Sequence, residues 1–213
     1  TVSKTQLIMK SIRLIFALVF SLTFMAANAM NATQIMDKAA NGFKSAGGVS
    51  ATYTLIGRNI AKQSGSIKVQ GNKFAIQHPM LSSWYDGKTL WNYNADSNEV
   101  TISNPTTSEI QQVNPYALVS NYKSVYTPSL VKSKIKGTHC VLLKAKSSKN
   151  AIRQIYLYLN ASNYTPVRLD IVSDGNATTT IVISNYKKGQ KFGNTDFVFP
   201  SAKYPSASKI DLR

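Results

Sequence analysis

From residue 48 onward, apolar and polar side chains alternate with a period of two along most of the chain, which predicts half-buried β-strands. "VSATYTLIG" sets Val49, Ala51, Tyr53 and Leu55 on one side, "GSIKVQG" sets Ile67 and Val69 against Ser66, Lys68 and Gln70, and "NKFAIQ" contributes Phe74 and Ile76. "KTLWNYN", "EVTIS", "CVLLKAK", "AIRQIYLYLN", "TPVRLDIVS" and "ATTTIVISNYK" continue the pattern. Turn-forming clusters separate them at Asp86-Gly87, Asp96 to Asn98, Ser147 to Asn150, Asn160 to Asn163 and Asp174 to Asn176. Links this short make consecutive strands pair mainly antiparallel. A meander of about nine or more strands twists, and therefore curls into a barrel or part of one.

Two segments break the alternation. Ile35, Met36, Ala39, Ala40 and Phe43 recur at helical spacing, which predicts one amphipathic helix over Ala32 to Lys44 that can stopper the concavity. "TSEIQQVNPYALVSNY", residues 107–122, holds short helical turns around Pro115 and is a candidate lid. Some strands are apolar on both faces: Ile155, Leu157 and Leu159 alternate with Ile152, Tyr156 and Tyr158. Either both sides of the sheet are covered, or part of the apolar surface awaits a ligand.

The N-terminus reads as a secretory leader. Lys10 and Arg13 precede the apolar run "LIFALVFSLTFMAA", which ends in the small residues Ala27 to Ala29. Met9 is an alternative start, residues 1–29 are the expected signal peptide cleaved near Ala29, and residues 30–213 are expected to form one domain in the periplasm. Loss of Lys4, Lys10 and Arg13 lowers the formal charge from +16 to +13, which favours solubility and transient attraction to anionic head groups. Nucleic acid is not an expected partner, because export removes it and no base-reading element accompanies the lysines. Cys140 is the single cysteine, so packing and not an internal disulfide must supply stability.

Catalytic apparatus is missing from the motif inventory. Ser-x-x-Lys occurs at Ser120 to Lys123, Ser129 to Lys132 and Ser206 to Lys209, as chance supplies in a Ser- and Lys-rich chain, without companion motifs. No Gly-rich phosphate loop, nucleophile elbow or metal-protease motif is present, and the nine acidic residues are spread singly. His78 and His139 are isolated on polar stretches, so no metal and no cofactor is expected. The expectation is a binding protein and not an enzyme.

"YDGKTLWNYNADSNEVTI" resembles the strand, Asp-Gly-Lys turn, Leu-Trp-x-Tyr strand and following hairpin of the periplasmic outer-membrane lipoprotein carrier family, LolA. The likeness extends to the opening helix, "GVSATYTLIG", "GSIKVQGNKFAI", "NPYALVSNY", "PVRLDIVSDGNATTTIVISNY" and the closing "FVFP" with "KIDLR". It implies a mainly β fold with some α: an unclosed antiparallel half-barrel capped by a few short helices. It also implies a monomeric carrier whose apolar cavity shields the acyl chains of lipoproteins between an inner-membrane lipoprotein-releasing transporter and an outer-membrane acceptor. Each buried methylene is worth about 0.8 kcal/mol, so a chain of about sixteen carbons gains on the order of 10 kcal/mol before ordering costs. One departure is visible. Family members carry an Arg-Pro pair after the strand aligned with "GSIKVQ", where this chain has Gly71 and Asn72. Neighbouring Lys73 is a flexible point charge and does not replace a planar guanidinium, so the lid-holding role of that arginine is not carried over.

Strand phase and resemblance together nominate Tyr53, Leu55, Ile67, Val69, Phe74, Ile76, Trp91 and Tyr93 as cavity lining, and Ile35, Met36, Phe43, Leu118 and Val119 as lid contacts. Trp84, Trp91 and Tyr93 are either lining or core packing, and Tyr156 and Tyr158 either a docking surface or packing. A carrier of another lipid or glycolipid, or a non-catalytic envelope sensor on the same fold, would use the same residues.

Overall fold

A computed structural model describes residues 30–57, 60–106, 109–110 and 121–213. The expected signal peptide, the Pro115 segment, Leu118 and Val119 lie outside the described residues. Helix α1 (Ala32–Lys44) coincides with the predicted span. Asn31 caps it: the Asn31 side chain accepts from the Gln34 amide, and the Gln34 side chain accepts from the Asn31 amide, each at 2.9 Å.

Among the described residues, twelve strands form one open sheet: β1 (Gly48–Gly57), β2 (Ile60–Gln70), β3 (Lys73–Gln77), β4 (Leu81–Tyr85), β5 (Leu90–Asn94), β6 (Glu99–Ser103), β7 (Tyr126–Val131), β8 (Thr138–Ala145), β9 (Ile152–Asn160), β10 (Pro166–Ser173), β11 (Thr178–Lys187) and β12 (Ser208–Asp211). Their spatial order is β12-β6-β5-β4-β3-β2-β1-β11-β10-β9-β8-β7. The sheet does not close, so this is the expected half-barrel. A single helical turn, α2 (Tyr122–Val125), leads into β7. Pairing is antiparallel except where β12 runs parallel to β6. The alternation missed β7, "YTPSLV", because Pro128 and the polar residues around it dilute the pattern.

The turns fall where the small polar residues stood. Asp86 Oδ1 accepts from the amides of Lys88 at 2.8 Å and Thr89 at 2.7 Å, and Gly87 adopts φ 104°, a conformation that favours glycine. This turn fixes the β4–β5 register, with Trp84 opposite Trp91 and Tyr85 opposite Leu90.

Both faces of the sheet are covered, by different parts of the chain. On one face lies α1, with Ile35 and Met36 fully buried. On the other, the chain leaving β11 runs back across the sheet as a strap, residues 188–207. The Gln190 amide donates to the Gly48 carbonyl at 3.0 Å, Lys68 pairs with Asp196 at 2.7 Å, Lys73 donates to Asn194 at 3.0 Å, and the Ser208 amide reaches the Asn98 carbonyl at 2.9 Å. Crossing the sheet this way delivers the terminal strand to β6 in the parallel sense.

Candidate functional site: the helix-covered face of the sheet

Register places the predicted lining residues by simple geometry, because side chains directly opposite on paired strands share a face. Val49 pairs with Val69, Ala51 with Ile67, and Tyr53 with Gly65. Ile67 in turn pairs with Ile76, and Val69 with Phe74. Leu55 and Tyr53 face the same way as Ile181 and Ile183 of β11. Six of the eight predicted positions, Tyr53, Leu55, Ile67, Val69, Phe74 and Ile76, therefore share one face. Phe43 of α1 packs against the cluster formed by Val69, Phe74, Tyr85, Leu90 and Ile110 with Ile67 and Ile76 at its edge, so this is the face the helix covers.

Trp91 and Tyr93, the other two, point to the opposite face. Phe74 pairs with Tyr85 and Tyr85 with Leu90, so Leu90 and Asn92 continue the helix-covered side and Trp91 and Tyr93 fall one residue out of phase. There they join Trp84, Ala75, Val100 and Ile102 beneath Phe197 and Phe199 of the strap. The ring of Tyr93 lies 4.3 Å from that of Tyr204, and Trp84 meets Phe199 edge-on at 5.5 Å. The tryptophans and tyrosines of residues 82–103 are mostly the packing that glues the strap to the sheet.

The helix-covered face divides into two regions. Beneath α1, Val141, Leu143, Ile155, Leu157 and Leu159 of β8 and β9 are at most 1% exposed. Across β1, β2, β3, β10 and β11, the side chains of Leu55, Ile67, Ile76, Ile171, Ile181 and Ile183 are only half buried. Register connects them: Leu55 opposes Ile181, Leu169 opposes Ile181, and Ile171 opposes Ile155. The result is an apolar strip running off the dry core toward solvent. Residues 169–183 were absent from the predicted lining, although the phase of "ATTTIVISNYK" carries the signal, with Ile181 and Ile183 alternating against Val182.

Tyr53 supplies the polar edge of this strip. Its ring lies over Gly65, where an added Cβ would stand 2.5 Å from Cζ, and its hydroxyl donates to the Gln77 carbonyl at 3.4 Å. Burial pushes its phenol above the ordinary range. The His78 ring stacks on Tyr53 at 6.4 Å, and His78 Nδ1 accepts from the Met80 amide at 3.2 Å. Cys140 is buried on the strap-side phase of β8, where desolvation raises its thiol pKa. Tyr158 is buried there too, with the Arg168 guanidinium 5.9 Å from its ring, so it is packing rather than an outer docking surface. Among the described residues no group of three or more His, Cys, Asp or Glu is placed to hold a metal ion, and no helix is long and apolar enough to cross a membrane.

A concavity lies on the strap side. It is an open groove of about 670 Å³ bordered by β1, β2, the β3–β4 turn and the strap, and Tyr53 and Tyr93 of the predicted lining both border it, with Thr52, Ser64, His78 and Tyr204. Hydroxyls of Thr52, Thr54, Ser64 and Ser66 alternate around it with apolar surface from Pro79, Ala95 and Pro200.

The family model described as outer membrane lipoprotein carrier protein LolA matches residues 22–176. The chain belongs to this family. Among solved structures, an uncharacterized conserved protein from Thermus thermophilus shares the fold with a TM-score of 0.57 at 12% identity, covering 84% of this chain and 98% of that one. A LolA superfamily protein from Nitrosomonas europaea gives a TM-score of 0.42 at 13% identity, with 80% and 99% covered. A putative outer membrane lipoprotein-sorting protein domain from Vibrio parahaemolyticus also gives 0.42, at 11% identity, with 80% and 96% covered. No curated protein matches the chain. The family's Arg-Pro positions are occupied here by the β2–β3 turn, where Gly71 takes φ 60° with open space around it. Lys73 turns away to Asn194 of the strap.

Proposed function

We propose that this LolA-family chain is a single-domain periplasmic carrier that holds the acyl chains of lipoproteins against the apolar strip of its helix-covered face. A non-catalytic role follows from the same reading, since shielding a hydrocarbon from water needs only a dry wall and a movable cover. One observation carries it. The strip of Leu55, Ile67, Ile76, Ile171, Ile181 and Ile183 stays half buried although it is continuous with a core that excludes water almost completely. Apolar surface left open beside a finished core is the place for a ligand of the same character. Helix α1, with Phe43 at the strip's margin, is the described cover. A carrier of this kind needs an inner-membrane donor and an outer-membrane acceptor for its cargo, and these are the partners the reading requires.

The test is titration with a fluorescent palmitoylated peptide, alongside mass spectrometry of lipid co-purifying with the protein. Micromolar or tighter binding is expected, falling at least 10-fold in Ile181→Asp, because a carboxylate on the strip forces desolvation of a charge when the chain binds. Equal binding by Ile181→Asp and the native protein refutes the proposal, as does failure of the native protein to bind any acylated probe.

A further inference from the structure

Along the β7–β11 half of the sheet, more lysines stand at one end than at the other. Because the strands form a meander, alternate turns lie at opposite ends. At one end, the β7–β8 turn carries Lys132, Lys134 and Lys136, all exposed. Along the same end, the exit from β11 and the end of α1 bring together Lys44, Lys187, Lys188 and Lys191, also exposed. The amide of Gly189 bonds to the Ala46 carbonyl at 2.9 Å, and Lys188 Nζ lies 3.7 Å from where a Gly42 Cβ would stand, so these four belong to one patch. Between the two groups runs the β9–β10 turn, whose Ala161 amide bonds to the Gly137 carbonyl at 2.9 Å. Residues 42–47, 132–137, 161–165 and 187–193 contain no Asp or Glu. None of the seven lysines has an ion-pair partner among the described residues.

The opposite end of the same strands is different. Arg153 pairs there with Asp174, and Lys123 with Asp37 at 3.0 Å. Two cations there are neutralised by neighbouring carboxylates, whereas none of the seven is; the carboxylates at the first end, Asp86 in the β4–β5 turn and Asp196 against Lys68, stand on the other half of the sheet and on the strap.

Two further features define the partner. All seven cations are lysine, a compact and hydrated charge suited to diffuse attraction rather than to bidentate capture of a single carboxylate. The β7–β8 turn is also held rigid, with Ser133 Oγ bonded to Thr138 Oγ1 at 2.6 Å and accepting from the Ile135 amide at 3.1 Å, so Lys132, Lys134 and Lys136 project from a fixed base. A broad, unpocketed rim of fixed lysines matches an extended anionic plane. We propose that this end of the sheet docks the protein onto the surface of a bilayer rich in anionic phospholipid, through head-group contact and without insertion. The docking stands independently of what the apolar strip carries.

The experiment is flotation of the full chain with phosphatidylglycerol-containing vesicles and with phosphatidylcholine vesicles, both free of lipoprotein. A lysine near an anionic surface contributes about 1 kcal/mol, or about fivefold in binding constant. Lys132→Gln, Lys134→Gln and Lys136→Gln together therefore weaken binding to anionic vesicles by up to roughly 100-fold. The charge-matched control at the other end, Lys62→Gln, Lys146→Gln and Lys149→Gln, weakens it less than about threefold. Raising salt from about 0.1 M to about 1 M, which cuts the screening length from about 10 Å to about 3 Å, abolishes the binding. Equal losses in the two triple variants, or equal binding to neutral vesicles, overturn the proposal. So does binding to an acidic polypeptide such as polyglutamate with none to anionic vesicles, an outcome that assigns the surface to a protein partner. Failure here leaves acyl-probe binding untouched, because that assay contains no bilayer.

Discussion

Replacing Trp84 by alanine separates the two faces of the sheet by experiment. Trp84 is 2% exposed, and its indole sits between Phe199 at 5.5 Å and Tyr204 at 6.3 Å, both on the strap. Truncating a buried aromatic of this size removes its transfer free energy and leaves a hole that the rigid sheet cannot fill, for a loss of about 3–5 kcal/mol. For a domain of this length each kcal/mol shifts the melting midpoint by roughly 2–4 °C, so a drop of about 6–20 °C is expected by circular dichroism. The same variant, assayed well below its midpoint, binds the palmitoylated probe within about twofold of the native protein, because the strip of Leu55, Ile76 and Ile181 lies on the other side of the backbone. A melting point unchanged within about 1 °C refutes the packing role assigned to Trp84. Loss of probe binding in a still-folded Trp84→Ala variant refutes the assignment of acyl binding to the strip on the opposite face.

Gly65→Ala tests the seat of Tyr53: the new Cβ would stand 2.3 Å from the Gln77 carbonyl oxygen and 2.5 Å from the Tyr53 ring, so a cost of about 1–3 kcal/mol is expected by urea denaturation, and unchanged stability contradicts the geometry. Asp196 tests the strap's electrostatic anchor. The Lys68 ammonium holds its carboxyl below the ordinary range, so the pair stabilises the fold at neutral pH and that contribution disappears as pH falls through the ordinary carboxylate range to the depressed pKa. Both side chains are about a third exposed, which keeps the contribution below about 1 kcal/mol. The stability gap between the native protein and Asp196→Asn therefore shrinks on acidification, and a gap that widens at low pH contradicts the pairing.

Much of the fold was legible in the residues. Helix α1 and most strands follow from side-chain period alone, because a helix and a half-wet strand each leave a repeat that no neighbour has to supply. Asp86-Gly87 announced its turn for an equally local reason, a side chain that satisfies its own backbone. The face of each strand relative to the next was not local. Alternation sets Trp91 and Tyr93 together, but only the β3–β4–β5 register decides that they oppose Phe74 and not accompany it.

The strap marks the boundary between the two kinds of information. "FVFP" can be read in the sequence as an apolar run, yet its partners Trp84 and Tyr93 lie about a hundred residues earlier, and no period encodes an encounter over that separation. The half-open strip is a tertiary property for the same reason, since Leu55 and Ile181 become neighbours only when β1 and β11 pair. Even the charge of +16 becomes a surface only after the meander sorts its turns to two ends. What the sequence determined by itself is the set of elements and the chemistry each can offer. Which side chains meet, and which are left facing water, was decided by strand register and by a chain end that returns across the sheet.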